Sequence, residues 1–175
     1  LSASQPAERR QFLSFSVAGS DFAVGIVQVR EILQYEAITR VPSVPAAIRG
    51  VINLRGSVVP VVDLAVKLGL SATPVTPRTC ILIVEVALGS ERTVMGLLAD
   101  TVSEVLELGD GDVEPPPPFG TRVRVDYLTG MGKLGKGFVL LLDLDRALSA
   151  DEKDLAFRPP PGALPPRPSE AGAGP

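Results

Sequence analysis

The sequence predicts a mainly β chain organised as two small barrels with a few short helices. Three observations predict it. Apolar runs of Val, Leu and Ile recur through residues 10–150 at the spacing of sandwich or barrel strands, each bounded by turn-forming residues. Helical spacing is confined to brief segments. A proline-flanked stretch at 71–76 divides the strand pattern into two blocks, which favours two small barrels over one sandwich.

Residues 1–10 are polar and small and are expected to fray. Phe12, Phe15 and Val17 mark a first strand, 18–21 a turn, and 22–26 the returning strand of a hairpin. Residues 27–33 are ambiguous: Ile26, Val29 and Leu33 sit at helical spacing, yet Val and Ile favour strands. A short helical turn or an irregular edge is expected there. Residues 38–41 are read as another short strand, after which Pro42 and Pro45 hold the chain extended. Residues 48–54 and 57–62 form a hairpin around Arg55-Gly56, with the glycine available for positive φ. Pro60 lacks a ladder donor, which places its strand at an edge or a bulge. Asp63 caps a short helix at 64–68 that stops at Gly69.

In the second block, strands are expected at 79–87 and 93–99 around a turn at 89–91, then through Val102, Val105, Leu106 and Leu108. Residues 115–118 are polyproline loop. Residues 123–131 and 137–142 form a last hairpin, 143–148 a helix, and 151–158 a further short helix. The Pro-, Gly- and Ala-rich tail, 159–175, is expected to be disordered. The barrels are thus placed at about 12–70 and 78–148 within a domain of 11–150, with the first strand free to cross over to the other barrel.

Composition excludes several function classes. The chain has 175 residues, 17 Lys+Arg against 20 Asp+Glu, and a net charge of -3, which is a poor electrostatic basis for nucleic-acid binding. It has no histidine, and so lacks the commonest general base and metal ligand. Cys80 is the single cysteine, so neither an intrachain disulfide nor a thiolate zinc cage is expected. A reducing, cytoplasmic setting fits this. Aromatics are 5% and Trp is absent, so Val, Leu and Ile must build the core. The longest apolar runs, 80–88 and 58–66, fall short of the roughly 20 residues of a spanning helix, and residues 1–11 lack the apolar region of a signal peptide.

No catalytic constellation emerges. Lys67, Lys133, Lys136 and Lys153 lie outside any Ser-x-x-Lys pattern, so no base is paired with a nucleophile. Asp143 and Asp145 read as helix-terminal residues rather than metal ligands. Gly130-x-Gly132-x-x-Gly135 has phosphate-loop spacing, but a strand follows it instead of the helix such a loop needs. Cys80 reads as a buried inert thiol, and Arg122 and Arg124 as a solvated strand face. Neither metal nor cofactor is expected. A cryptic enzyme or small-ligand barrel is the reading from another class.

One stretch is specific. Arg49-Gly50-Val51-Ile52-Asn53-Leu54-Arg55-Gly56 runs into Val58-Val59-Pro60-Val61-Val62-Asp63-Leu64. It resembles the signature of the CheW-like family, the scaffold of bacterial chemotaxis arrays. Gly25-Ile26 with Val29-x-Glu31-Ile32, Val41-Pro42-x-x-Pro45, the 94–105 segment, Tyr127-Leu128-Thr129-Gly130 and the 138–142 strand resemble further parts of the family, so that the likeness spans about 11–156. It departs at Ala65, where members usually carry Arg, and in the proline-rich loop and tail.

The resemblance implies two five-stranded, SH3-like β-barrels side by side, with no catalytic activity. It implies an adaptor that couples the cytoplasmic tips of methyl-accepting chemoreceptors to the regulatory domain of a CheA-type histidine kinase. Such an adaptor is cytoplasmic and recruited to membrane-associated receptor arrays, without inserting into the membrane or binding nucleic acid. A member that binds only receptor or only kinase, in a pathway other than chemotaxis, is the alternative. Carried over by position, Val29, Glu31, Ile32, Arg49, Gly50, Asn53, Arg55 and Val102 fall where the family contacts receptor or kinase. From the residues themselves, Asn53 and Gly56 can simply build a turn, Val29 and Ile32 can be core, Glu31 a solvated charge or a partner of Arg49 or Arg55, and Arg55 a contact or a tertiary brace.

Overall fold

The computed structural model describes residues 9–116 and 125–149. Most of the expected frayed N-terminus, the end of the proline loop, Arg122, Arg124, the helix at 151–158 and the tail lie outside the described residues.

The first hairpin is β1 (Arg10–Val17) and β2 (Ser20–Gly25). A 3-10 turn over Ile26–Gln28 leads into β3 (Val29–Gln34), so the ambiguous segment is both of the things considered, a turn followed by a strand. The signature stretch forms β4 (Ile48–Leu54), β5 (Ser57–Asp63) and α1 (Leu64–Lys67). The second block forms β6 (Cys80–Leu88), β7 (Glu91–Ala99), β8 (Thr101–Leu108) and a short β9 (Val113–Glu114). The last hairpin, β10 (Leu128–Leu134) and β11 (Gly137–Leu142), is followed by α2 (Leu144–Ser149).

These strands form two mixed sheets, of six strands in the order β8-β1-β2-β11-β10-β9 and of five in the order β3-β6-β7-β5-β4. The sixth strand, against an expectation of five, is the two-residue β9. Sheet membership does not follow the blocks 12–70 and 78–148. β1 and β2 pair with β8 and β11, while β6 and β7 complete the sheet of β3, β4 and β5. The cause is the brevity of two connections. β2 passes to β3 through one 3-10 turn, and β7 passes to β8 through Asp100 alone, so each third strand is carried into the neighbouring sheet. Residues 38–41 contribute one bridge, Thr39 to Val51, in place of a strand.

The inner strands β6 and β7 are buried on both faces over most of their length, which is why their sequences read as apolar runs. Phe15, Phe22, Leu82, Val84, Leu97, Leu64 and Leu144 meet in a large core between the sheets. Ile81, Ile83, Leu98, Val59, Val61 and Ile52 point the other way into a second core. Phe12, Ala23, Leu106, Leu108, Val139 and Leu141 form a third, within the six-stranded sheet. Pro60 lies in an inner strand rather than at an edge. β5 pairs with β7 only from Val61 onward, so the missing N–H of Pro60 falls where the ladder has not begun.

The two signature-like hairpins are built on one plan. Ile48 and Leu128, Gly50 and Gly130, and Asp63 and Asp143 occupy matching places at an offset of 80 residues (128 against 48). Both hairpins carry a bulge at the same step, and both continue into a parallel pairing and a short helix. In both, a glycine lets another segment cross. A Cβ on Gly50 would overlap the Thr39 carbonyl oxygen and lie 2.7 Å from Ile38 Cγ2, while one on Gly130 would lie 2.8 Å from the Glu114 carbonyl oxygen. Gly50 also holds φ +145°. It is therefore required by the fold. Gly50→Ala is expected to destabilise the protein by about 3 kcal/mol or more in urea unfolding, because both backbone strain and a backbone clash are introduced. Gly56→Ala, with open space around it, is expected to cost only about 1 kcal/mol.

Candidate functional site

The eight sequence-predicted residues fall into three groups by what surrounds them. Glu31, Asn53 and Arg55 come together at the tip of the β4–β5 hairpin. The Asn53 side-chain oxygen accepts the Gly56 N–H at 2.8 Å, which closes the turn. Arg55 follows at φ +52°, in the left-handed region, with Gly56 at +88°. From there its guanidinium donates to both oxygens of Glu31, Nη1 at 2.7 Å from Oε2 and Nη2 at 2.8 Å from Oε1. Glu31 lies on β3 and Arg55 beside β4, the two outermost strands of the five-stranded sheet. The fork therefore ties one edge of that sheet to the other. Glu31 is not a lone solvated charge. Its hydrogen bond to Arg55 outweighs the opposing desolvation and, with a smaller Coulombic attraction from the same cation, holds its carboxyl below the usual carboxylate range.

Val29, Ile32 and Val102 lie on the faces of edge strands that border the central core. Val29 pairs with Val84 and Val102 with Phe15, and both pack against that core. Ile32 pairs with Leu82 and is 45% exposed. Val105, which sequence reasoning missed, pairs with Leu13 and is 51% exposed on the same side of β8. Each edge thus presents apolar side chains continuous with the central core. Val58, opposite Asn53 and 45% exposed, is a second missed residue at the hairpin tip. Val58 is lost in an apolar run, and Val105 stands beside Leu106 in a strand whose pattern does not say which of the two faces outward.

Arg49 and Gly50 make contacts within the scaffold. Arg49 turns inward, its Nη1 2.7 Å from Asp63 Oδ2 and 3.3 Å from the Thr73 carbonyl. Asp63 is fully buried, and it does more than cap α1. Its Oδ1 accepts from Ala65 N at 3.2 Å and from Thr73 Oγ1 at 2.9 Å, and its Oδ2 accepts from Thr73 N at 2.9 Å. One carboxylate thereby fixes β4, α1 and the segment leading to β6. Such a buried charge stays satisfied only while its donors remain.

The remaining candidates are likewise structural. Asp143 caps α2 at the Arg146 N–H, 3.1 Å away, and Asp145 accepts from Gln28 Nε2 and the Ala87 N–H. Cys80 Sγ lies 3.4 Å from the Arg78 carbonyl. Gly130 and Gly132 sit inside β10, and Gly135 makes its turn. Among the described residues no three potential ligands gather in a metal-binding group, and no helix is long and apolar enough to cross a membrane.

The family model of the CheW-like domain matches residues 11–152. The chain belongs to the CheW-like family. It is 34% identical over 146 residues to the chemotaxis protein CheW of Klebsiella aerogenes, an alignment that covers 83% of this chain and 86% of that one. It is 34% identical over 147 residues to CheW of Rhizobium meliloti, covering 84% and 92%. A crystal structure of the scaffolding protein TtCheW from Thermoanaerobacter tengcongensis superposes with a TM-score of 0.74 at 28% identity, covering 84% of this chain and 97% of that one. The two-sheet architecture is thus a CheW-like fold. The family's role is that of a non-catalytic scaffold in chemotaxis signalling, and the chain is such a scaffold rather than an enzyme.

Two outcomes follow from this geometry. Arg49→Ala leaves the Asp63 carboxylate buried with one charged donor removed, and is expected to destabilise the fold by about 3–5 kcal/mol in chemical denaturation. Because the folded-state pKa of Glu31 is lowered, its contribution to stability is complete above the unfolded value of about 4.3 and is lost as pH falls through the folded value. In an NMR titration the Glu31 carboxyl should have its midpoint below the ordinary range, and Arg55→Gly should return it there. An unchanged midpoint would mean that the fork does not persist in solution.

Proposed function

We propose that the chain couples chemoreceptors to a CheA-type histidine kinase as a cytoplasmic adaptor recruited to membrane-associated receptor arrays. Its 11–150 unit acts as one scaffold carrying two different surfaces. The charged β4–β5 tip, with Glu31, Asn53, Arg55 and Val58, suits the folded regulatory domain of the kinase, where a forked ion pair can set register. The apolar edges at Val29, Ile32, Val102 and Val105 suit the apolar face of a receptor's helical hairpin. Arg49 and Gly50 support this second-hand, by holding β4 in place. Closure of each sheet into a barrel belongs to the same reading. In the five-stranded sheet it is supported by the Glu31–Arg55 fork and by the Thr39–Val51 bridge, whose two hydrogen bonds of 2.9 and 2.8 Å join the chain after β3 to β4.

The observation that carries the reading is the Arg55 guanidinium, exposed at the hairpin tip and already oriented by its fork to Glu31. Arg55 at φ +52° and Gly56 at +88° repeat the pair of left-handed residues in the β1–β2 turn, Ala18 at +52° and Gly19 at +82°. The turn thus accepts a residue other than glycine and does not require a charged one. The fork to Glu31 contributes little to stability, because solvent screens an exposed pair. An oriented, exposed guanidinium that neither the turn nor stability demands suits a contact made outside the chain.

Arg55→Gly is expected to leave the unfolding midpoint nearly unchanged while weakening capture of the kinase regulatory domain at least tenfold. Ile32→Asp and Val105→Asp are expected to weaken capture of receptor signalling tips and to spare the kinase. Separate pull-downs with the two partners measure this. Loss of stability in Arg55→Gly with binding retained would assign Arg55 to the fold. Wild-type binding to one partner only would overturn the bridging role.

A further inference from the structure

The strand exchange between the two blocks has a consequence for assembly. No sheet belongs to one block. β1 pairs with β8 and β2 with β11 in one sheet, and β3 pairs with β6 and β5 with β7 in the other. Both cores that face away from the centre also mix the blocks: Phe12 and Ala23 meet Leu106, Leu108, Val139 and Leu141, while Ile52, Val59 and Val61 meet Ile81, Ile83 and Leu98. Neither block can bury its strands without the other.

The chain passes between the blocks once, through the segment from Leu68 to Thr79. Its ends are pinned, Thr73 by Asp63 and Thr79 by accepting the Tyr35 N–H at its carbonyl, 3.0 Å away. Between the pins, residues 74–78 are exposed and belong to neither sheet. Pro74 and Pro77 stiffen this short hinge and favour extended backbone before each of them. A short hinge joining two mutually dependent blocks is the arrangement in which a partner block from another chain competes directly with the block in cis. Every ladder and core contact is the same in both arrangements; residues 74–78 must change path, and the turn in which the Thr79 N–H donates to the Thr76 carbonyl must open.

We propose that a second copy of this chain occupies the block-to-block interface, giving an intertwined dimer. In it, residues up to Thr73 of one copy complete the sheets begun by residues from Thr79 onward of the other. Each dimer then presents two β4–β5 tips and two sets of apolar edges. It is a bivalent form of the scaffold, able to link neighbouring partners through effective concentration rather than new contacts.

The test uses the whole chain in a Cys80→Ser background with Gln11→Cys and Glu107→Cys. These two exposed positions face each other across β1 and β8, one from each block, and paired antiparallel residues lie within disulfide reach. The protein is unfolded in urea and refolded at micromolar and at several-hundred-micromolar concentration. Monomer and dimer are then separated by size exclusion, oxidised and run on a non-reducing gel. The dimer fraction should rise with concentration, and the dimer alone should become covalently linked at twice the chain mass. Removing residues 75–77 to shorten the hinge should raise the dimer fraction several-fold. A dimer whose cysteines close only within each chain would show an ordinary surface association and overturn the proposal. So would the absence of dimer at high concentration in the full-length hinge, whether or not the shortened variant folds.

Discussion

The whole structure depends on strands that are buried on both faces and completed by strands from the other block. β6 illustrates the constraint. Leu82 and Val84 enter the central core, Ile81 and Ile83 the second one, and its two neighbours, β3 and β7, come from opposite sides of the linker. Removing either block would expose two apolar faces and a row of unpaired backbone groups at once. The two sheets share the central core and are therefore one body in the mechanical sense, although each also has a core of its own. The bulges, the crossing glycines Gly50 and Gly130, and the buried Asp63 carboxylate serve this interlocking by letting segments pass closely and by fixing where the chain leaves each hairpin.

A rigid body of this kind suits a scaffold. It performs no chemistry; it holds partners in a fixed relation, so that a conformational bias in one changes the populations of the other. The chemistry of the two surfaces matches that task. An exposed ion-pair fork gives orientation and selectivity rather than much affinity, while apolar edges continuous with the core give affinity rather than orientation. Under the proposed function, these two surfaces on one rigid frame divide the work of recognition.

The sequence made locally encoded features legible. The hairpins, the Asp63 cap, the left-handed Gly56 and the short helices follow from neighbouring residues, and the signature stretch disclosed the family. What stayed hidden was non-local. Nothing near Phe12 or Ile81 says which sheet each strand joins, because that is decided by the one-residue and one-turn connections and by packing at long range. Residues 38–41 looked like a strand because their apolar content is right, yet Pro42 follows and only Thr39 reaches β4. Pro60 looked like an edge marker, and instead sits where one ladder has not started. In the site, the Arg55–Glu31 pairing was within reach of sequence reasoning. The inward turn of Arg49 was not, since it answers to Thr73 and a carboxylate whose burial no local pattern reveals. Val58 was lost within an apolar run, and Val105 beside Leu106, where a bulge decides which of the two faces outward.

Native-state hydrogen exchange, followed as urea is raised, tests the interlocking most directly. The slowest amides of β2 and β11 in one sheet, and of β6 and β7 in the other, should converge on a single opening free energy equal to that of global unfolding. Two separate plateaus, with one sheet still protected after the other has exchanged, would show that the sheets open independently and would contradict a scaffold that works as one rigid body.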